Sequence, residues 1–150
     1  MTRLMTGLPP STPILMLVTG IAPISPLHAY ADIRWTGEFS TLLVLRAIYD
    51  ERDKAAAESR PISPRMVKVE RDVRRYVLES FLGVAPEIVF VDTSRTLTWF
   101  RSYPKPVSLI DFFSEQPAFA AEWTKYEKIG EIRSLNNCDV AVYRRRKDAQ

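Results

Sequence analysis

At 150 residues, with 46% hydrophobic and 26% charged side chains, the chain is long enough to bury a core, and its composition excludes wholesale disorder. A net charge of +3 allows contact with nucleic acid or anionic lipid without requiring it, and much of the excess sits in the closing run Arg144 to Lys147, which reads as a solvated tail. The single Cys138 excludes an internal disulfide and a thiolate cluster, and the single His28 excludes a multi-histidine metal site.

Residues 1–12 are read as a flexible N-terminus, 13–146 as one α/β domain and 147–150 as a polar, basic tail. The apolar run Ile14 to Val18 falls well short of the about 20 apolar residues that cross a bilayer, so no transmembrane span is expected. Bounded by Pro13 and Pro23, it predicts a buried strand from Pro13 to Thr19. The alternative over residues 14–31 is the hydrophobic segment of a signal peptide. Arg3 would then precede it, and cleavage at Ala29-Tyr30-Ala31 would leave a mature chain starting at Asp32.

Next, Trp35, Phe39, Leu42, Leu43 and Tyr49 recur at helical intervals and predict a helix from Trp35 to about Lys54. A charged, alanine-rich stretch leads through Arg60-Pro61-Ile62 to a second helix, capped by Ser63, with Pro64 in its first turn, and running to about Phe81. Met66, Val69, Val73, Val77 and Phe81 form its apolar stripe. Lys68, Arg71 and Arg75 face the other way, as a phosphate-binding patch or as plain solvated surface; the Glu70–Arg74 pair and Asp72 favour the second. Gly83 and Pro86 are expected to end this helix.

The run Glu87 to Asp92 does not alternate, which predicts a strand buried on both faces. Strand, helices and a second such strand make a parallel βαβ unit. Residues Thr93 to Val107 form a long connection whose Trp99, Phe100 and Tyr103 read either as a flap over the core or as a partner surface. Ser108 to Asp111 has capping-box spacing. A further helix carries Phe119, Trp123 and Tyr126 and stops at Gly130. Glu131 to Arg133 and Val140 to Tyr143 flank Asn136-Asn137 as an edge hairpin. The expected fold is therefore α/β: a small open sheet with a parallel βαβ core, helices packed on it and a C-terminal antiparallel hairpin.

Chemistry is sparse. One histidine and no G-x-S-x-G elbow leave no evident nucleophile and base. No glycine-rich phosphate loop follows either parallel strand, and the carboxylates lie in helical charge patterns beside arginines. No catalytic residue, metal ligand, cofactor or nucleic-acid partner is expected. Ligands of open α/β sheets sit beyond the carboxyl ends of parallel strands. The first strand would deliver His28, Tyr30 and Trp35 there, and the second Asp92, Thr93, Ser94 and Arg95. Asp92 leads these candidates for ligand contact, although an aspartate at that position also caps turns.

Several segments resemble the region after the last membrane helices of bacterial multi-spanning glycosyltransferase-like proteins. These are Ser25 to Tyr30, Arg34-Trp35, the helix end near Ile48-Tyr49, the strand Glu87 to Asp92, the run Phe119 to Tyr126 and the closing Val142 to Arg145. The likeness covers residues 13 to 146. The chain departs from it where His28-Ala29-Tyr30 replaces an asparagine-tyrosine and Arg46-Ala47 replaces a proline-bearing helix end. Such families use a lipid-linked sugar donor and keep their catalytic acid in a loop near the first membrane helix, and neither that loop nor a span is found here. The resemblance thus implies a truncated, non-catalytic, periplasmic accessory domain, partnered by a membrane-embedded transferase domain or a lipid-linked sugar. Two alternatives stand beside it: a small soluble enzyme with a crevice at Asp92 and His28, and a secreted interaction module presenting Trp99, Phe100 and Tyr103.

Overall fold

The computed structural model describes residues 9–19, 33–36, 42–94, 103, 105, 107–135 and 138–147. In chain order they form β1 (Thr12–Leu17), β2 (Ile33–Trp35), α1 (Val44–Ala57), α2 (Pro64–Val84), β3 (Ile88–Asp92), α3 (Leu109–Ser114), α4 (Pro117–Trp123), β4 (Tyr126–Leu135) and β5 (Cys138–Arg145). One sheet runs in the order β2-β1-β3-β5-β4.

This is the expected α/β fold. The parallel pair aligns Ile14 with Ile88 and Leu17 with Val91, and β1 to β3 with the helices between them makes the βαβ core. The closing hairpin is antiparallel and docks on β3 through β5, with β4 at the edge. Both sheet faces are buried. Leu15, Leu17, Val89 and Val91 meet the helices, while Ile14, Met16, Ile88 and Phe90 on the other face are at most 3% exposed. Burial on both faces is why neither inner strand alternates.

The helix expected to begin at Trp35 begins at Val44 instead. Trp35 belongs to β2, paired in parallel with Ile14. The same stretch carries two periodicities, and β-branched Ile33 with aromatic Trp35 around Arg34 suits a strand. Thr36 closes it, its N–H and hydroxyl both donating to the Ile14 carbonyl at 3.1 Å. Further on, Leu45 and Ile48 carry α1 into the core.

Helix α2 opens at Pro64 as expected, but the Ser63 hydroxyl does not cap it. The Ser63 N–H donates to Glu51 Oε1 of α1 at 2.9 Å, and the hydroxyl turns to the same carboxylate. Gly83 lies inside α2, which ends at Val84 with Ala85 in the left-handed region at φ 47°. Pro86 bars the helix from continuing, since a residue before proline is disfavoured in the right-handed helical region.

Ser108 does cap α3, accepting from the Asp111 N–H at 3.2 Å. The next helix stops earlier than its aromatic spacing predicts. Helix α4 ends at Trp123, and Tyr126 already opens β4, so Gly130 is a mid-strand residue beside a register shift. Tyr126 keeps its aromatic contacts all the same: Phe81, Phe119, Trp123 and Tyr126 stack at centroid separations of 4.8 to 5.9 Å. Its hydroxyl donates to the Pro86 carbonyl at 2.7 Å. Stacking of this kind adds about 0.5–1.5 kcal/mol per pair beyond area burial. The closing basic run is likewise structural in part. Arg144 and Arg145 lie in β5, and Arg145 meets the buried Glu122 at 2.9 Å.

Candidate functional site

The carboxyl ends of β1 and β3 lie side by side. From β1 the chain proceeds to β2 on one flank, and from β3 it proceeds toward the hairpin on the other. Divergence of this kind defines a topological switch point, the usual ligand position in an open α/β sheet.

At that point Asp92 is 2% exposed. Its Oδ1 accepts from the Ser94 N–H at 3.0 Å and the Ser94 hydroxyl at 2.6 Å, and its Oδ2 accepts from the Thr19 hydroxyl at 3.2 Å. The Asp139 N–H donates in turn to Ser94 Oγ at 2.8 Å, and the Thr93 N–H donates to the Asp139 carbonyl at 2.8 Å. Three chain segments are fastened here. The carboxylate caps the turn after β3 and ties it to the end of β1, so both of its oxygens are engaged within the protein.

Of the remaining candidates, Thr93 is exposed at the mouth of this fastening. Trp35 sits on β2, next to β1 and not beyond its end. His28, Tyr30, Arg95, Trp99 and Phe100 lie outside the described residues. Tyr103 packs against the core with its ring 5.8 Å from that of Tyr49 and the Arg46 guanidinium 5.2 Å from its centroid. Burial and a hydrogen bond to Asp53 push its hydroxyl pKa upward. Thr19 and Asp139 complete the cluster, and neither carries a strong sequence signal. Thr19 is signalled only as the polar residue ending an apolar run, and Asp139 joins through a distant hairpin.

A second polar cluster has no sequence signature beyond the Glu70–Arg74 pair. Arg52 of α1 grips Glu70 of α2 at 2.6 and 3.2 Å, and Arg74 bridges Glu70 at 3.1 Å and Glu115 at 2.5 Å. The Arg74 guanidinium, 7% exposed, lies 4.0 Å from the Phe112 ring centroid. Burial opposes ionisation of Glu115, yet Arg52 and Arg74 outweigh it and hold its carboxyl below the usual range. This cluster clamps α1, α2 and the α3–α4 junction. Beside it opens a groove of about 350 Å³ lined by Ile62, Val67, Arg71, Arg74 and Gln116 among others.

Among the described residues, no group of three or more histidine, cysteine or acidic side chains is arranged to hold a metal ion. No described helix is long and apolar enough to cross a membrane. No family model matches the chain, nor does any curated protein or solved structure.

Proposed function

We propose that this chain is a non-catalytic extramembrane accessory domain of a membrane glycosyltransferase-like system, acting at the periplasmic face of the inner membrane. Its partner is the membrane-embedded transferase domain or the lipid-linked sugar that domain uses. The observation that carries the non-catalytic half of this reading is Asp92. It is the buried carboxylate at the switch point among the described residues, and its oxygens are occupied by Ser94 and Thr19. A general acid or base needs an oxygen turned toward substrate, whereas this one holds a turn. The chain-long resemblance supports the other half. Two of its segments, residues 87–92 and 142–145, are neighbours in the sheet, which supports reading them as parts of one unit.

The test pairs two measurements. Purified chain incubated with polyprenyl-phosphate-linked sugars and a panel of acceptors is expected to transfer nothing. Turnover that Asp92→Ala abolishes in a still-folded protein would establish the enzyme reading in its place. Site-specific photocrosslinking in cells from position 93 is expected to capture a multi-spanning membrane protein, and capture of soluble proteins alone would overturn the accessory role.

A further inference from the structure

Helix α2 buries Val73, Val77 and Phe81, which leaves its opposite side to solvent. Toward that side Lys68, Arg71, Arg75 and Leu82 fall within about 60° of one another at 3.6 residues per turn, and Val67 continues the strip on its flank, about 40° beyond Arg71. All five are exposed, with Val67 at 50% and Leu82 at 48%, unusual values for large apolar side chains. Among the described residues neither Lys68 nor Arg71 has a salt-bridge partner, and Arg75 meets Asp72 at 3.6 Å with its guanidinium 4.8 Å from the Tyr76 ring centroid. Glu79 and Asp72 lie on the flank of the strip, at roughly 120–140° from Val67. From Val67 to Leu82 the strip is about 22 Å long at 1.5 Å per residue.

We infer that this strip is a docking surface for an anionic lipid bilayer. Charge complementarity points to a negative partner, and the two apolar side chains among the cations point to a bilayer. In a helix lying flat on lipid, cations sit at headgroup level while apolar groups enter the acyl boundary. A single-stranded nucleic acid would instead call for stacking aromatics, which the strip lacks, and a duplex backbone offers Val67 and Leu82 no apolar phase to enter. Next to Arg71, the groove walled by Ile62 and Val67 gives one headgroup a recess. The domain would rest on the membrane through α2, with the sheet beyond it. This inference stands on the surface of α2 alone and does not depend on the glycosyltransferase-like reading.

The test is co-sedimentation of the full chain with vesicles of phosphatidylcholine, alone or mixed with phosphatidylglycerol. Binding is expected to the mixed vesicles only and to fall as salt rises. Each cation near an anionic surface strengthens binding by about fivefold. Combined Lys68→Gln, Arg71→Gln and Arg75→Gln is therefore expected to weaken binding by roughly two orders of magnitude with the melting temperature nearly unchanged. Val67→Ser with Leu82→Ser should weaken it several-fold and make the remainder more salt-sensitive. No binding to mixed vesicles, equal binding to both kinds, or undiminished binding by the triple variant would each overturn the inference. So would binding to soluble polyglutamate in preference to vesicles, which would mark an acidic protein as the occupant. Failure here leaves the accessory role standing, and sugar transfer by the isolated chain would overturn that role without touching this surface.

Discussion

Glu51 shows how one side chain can set a connection. It accepts from Arg60 at 2.9 Å and from the Ser63 N–H at 2.9 Å, bracing the link between α1 and α2. Arg60 first, then Ser63, draw its carboxyl pKa from 4.5 down to about 2. The folded value lies below the unfolded one, so this contribution is complete above about pH 4.5 and is lost as pH falls through about 2. Glu51→Gln is expected to melt below wild type at neutral pH, with the gap closing across that window. A gap of constant size would assign the effect elsewhere. Asp92 makes the second residue-scale prediction. Asp92→Ala strips partners from Ser94 and Thr19 in a buried setting and should cost about 2–3 kcal/mol in urea unfolding. Asp92→Asn should cost about 1 kcal/mol, because an amide can still accept from Ser94 and donate to Thr19. An unchanged unfolding midpoint for Asp92→Ala would remove its role as a fastening. From sequence, Asp92 was legible as the polar residue ending a buried strand, and turn capping was the ordinary alternative to ligand contact. Its partner Thr19 was not, being 73 residues away.

At the scale of elements, α2 separates what local rules reach from what they miss. Pro64 and the stripe Met66 to Phe81 follow from proline geometry and a period of 3.6. The far end does not, because Gly83 carries the usual stop signal while the helix stops before Pro86, three residues later. A Cβ on Gly83 would meet nothing within 4 Å. Gly83→Ala should therefore stabilise the fold by about 0.5–1 kcal/mol through helix propensity. Ala85, at φ 47°, sits where glycine is preferred. Ala85→Gly should gain about 1 kcal/mol. Both are read as shifts in the chemical-denaturation midpoint, and destabilisation by either would mean that the helix end is held differently. Trp35 and Tyr126 depart from their helical spacing for a related reason. Each keeps a helical interval to its neighbours while its backbone joins the sheet, and side-chain spacing cannot report which backbone partner wins.

For the molecule as a whole, β3 is the keystone, flanked by β1 in parallel and β5 in antiparallel. Strand β5 covers one edge of β3, and β4 supplies Tyr126 to the aromatic stack. A chain ended at Lys125 should lose its cooperative thermal transition in calorimetry, because β3 becomes an open apolar edge and Phe81 loses a stacking partner. A sharp transition retained near the original temperature would show that the hairpin is an appendage. The α/β class, the two inner strands, the capped start of α3 and the apolar stripe of α2 are all legible in the order of residues. Each of these rests on periodicity, backbone geometry or a hydrogen bond spanning a few residues. Long-range packing is what engages Asp92 with Thr19, buries Arg74 between Glu70 and Glu115, and draws Arg145 into β5. Those partners meet across gaps such as the 41 residues from Arg74 to Glu115, and chain closure, not local preference, brings them together.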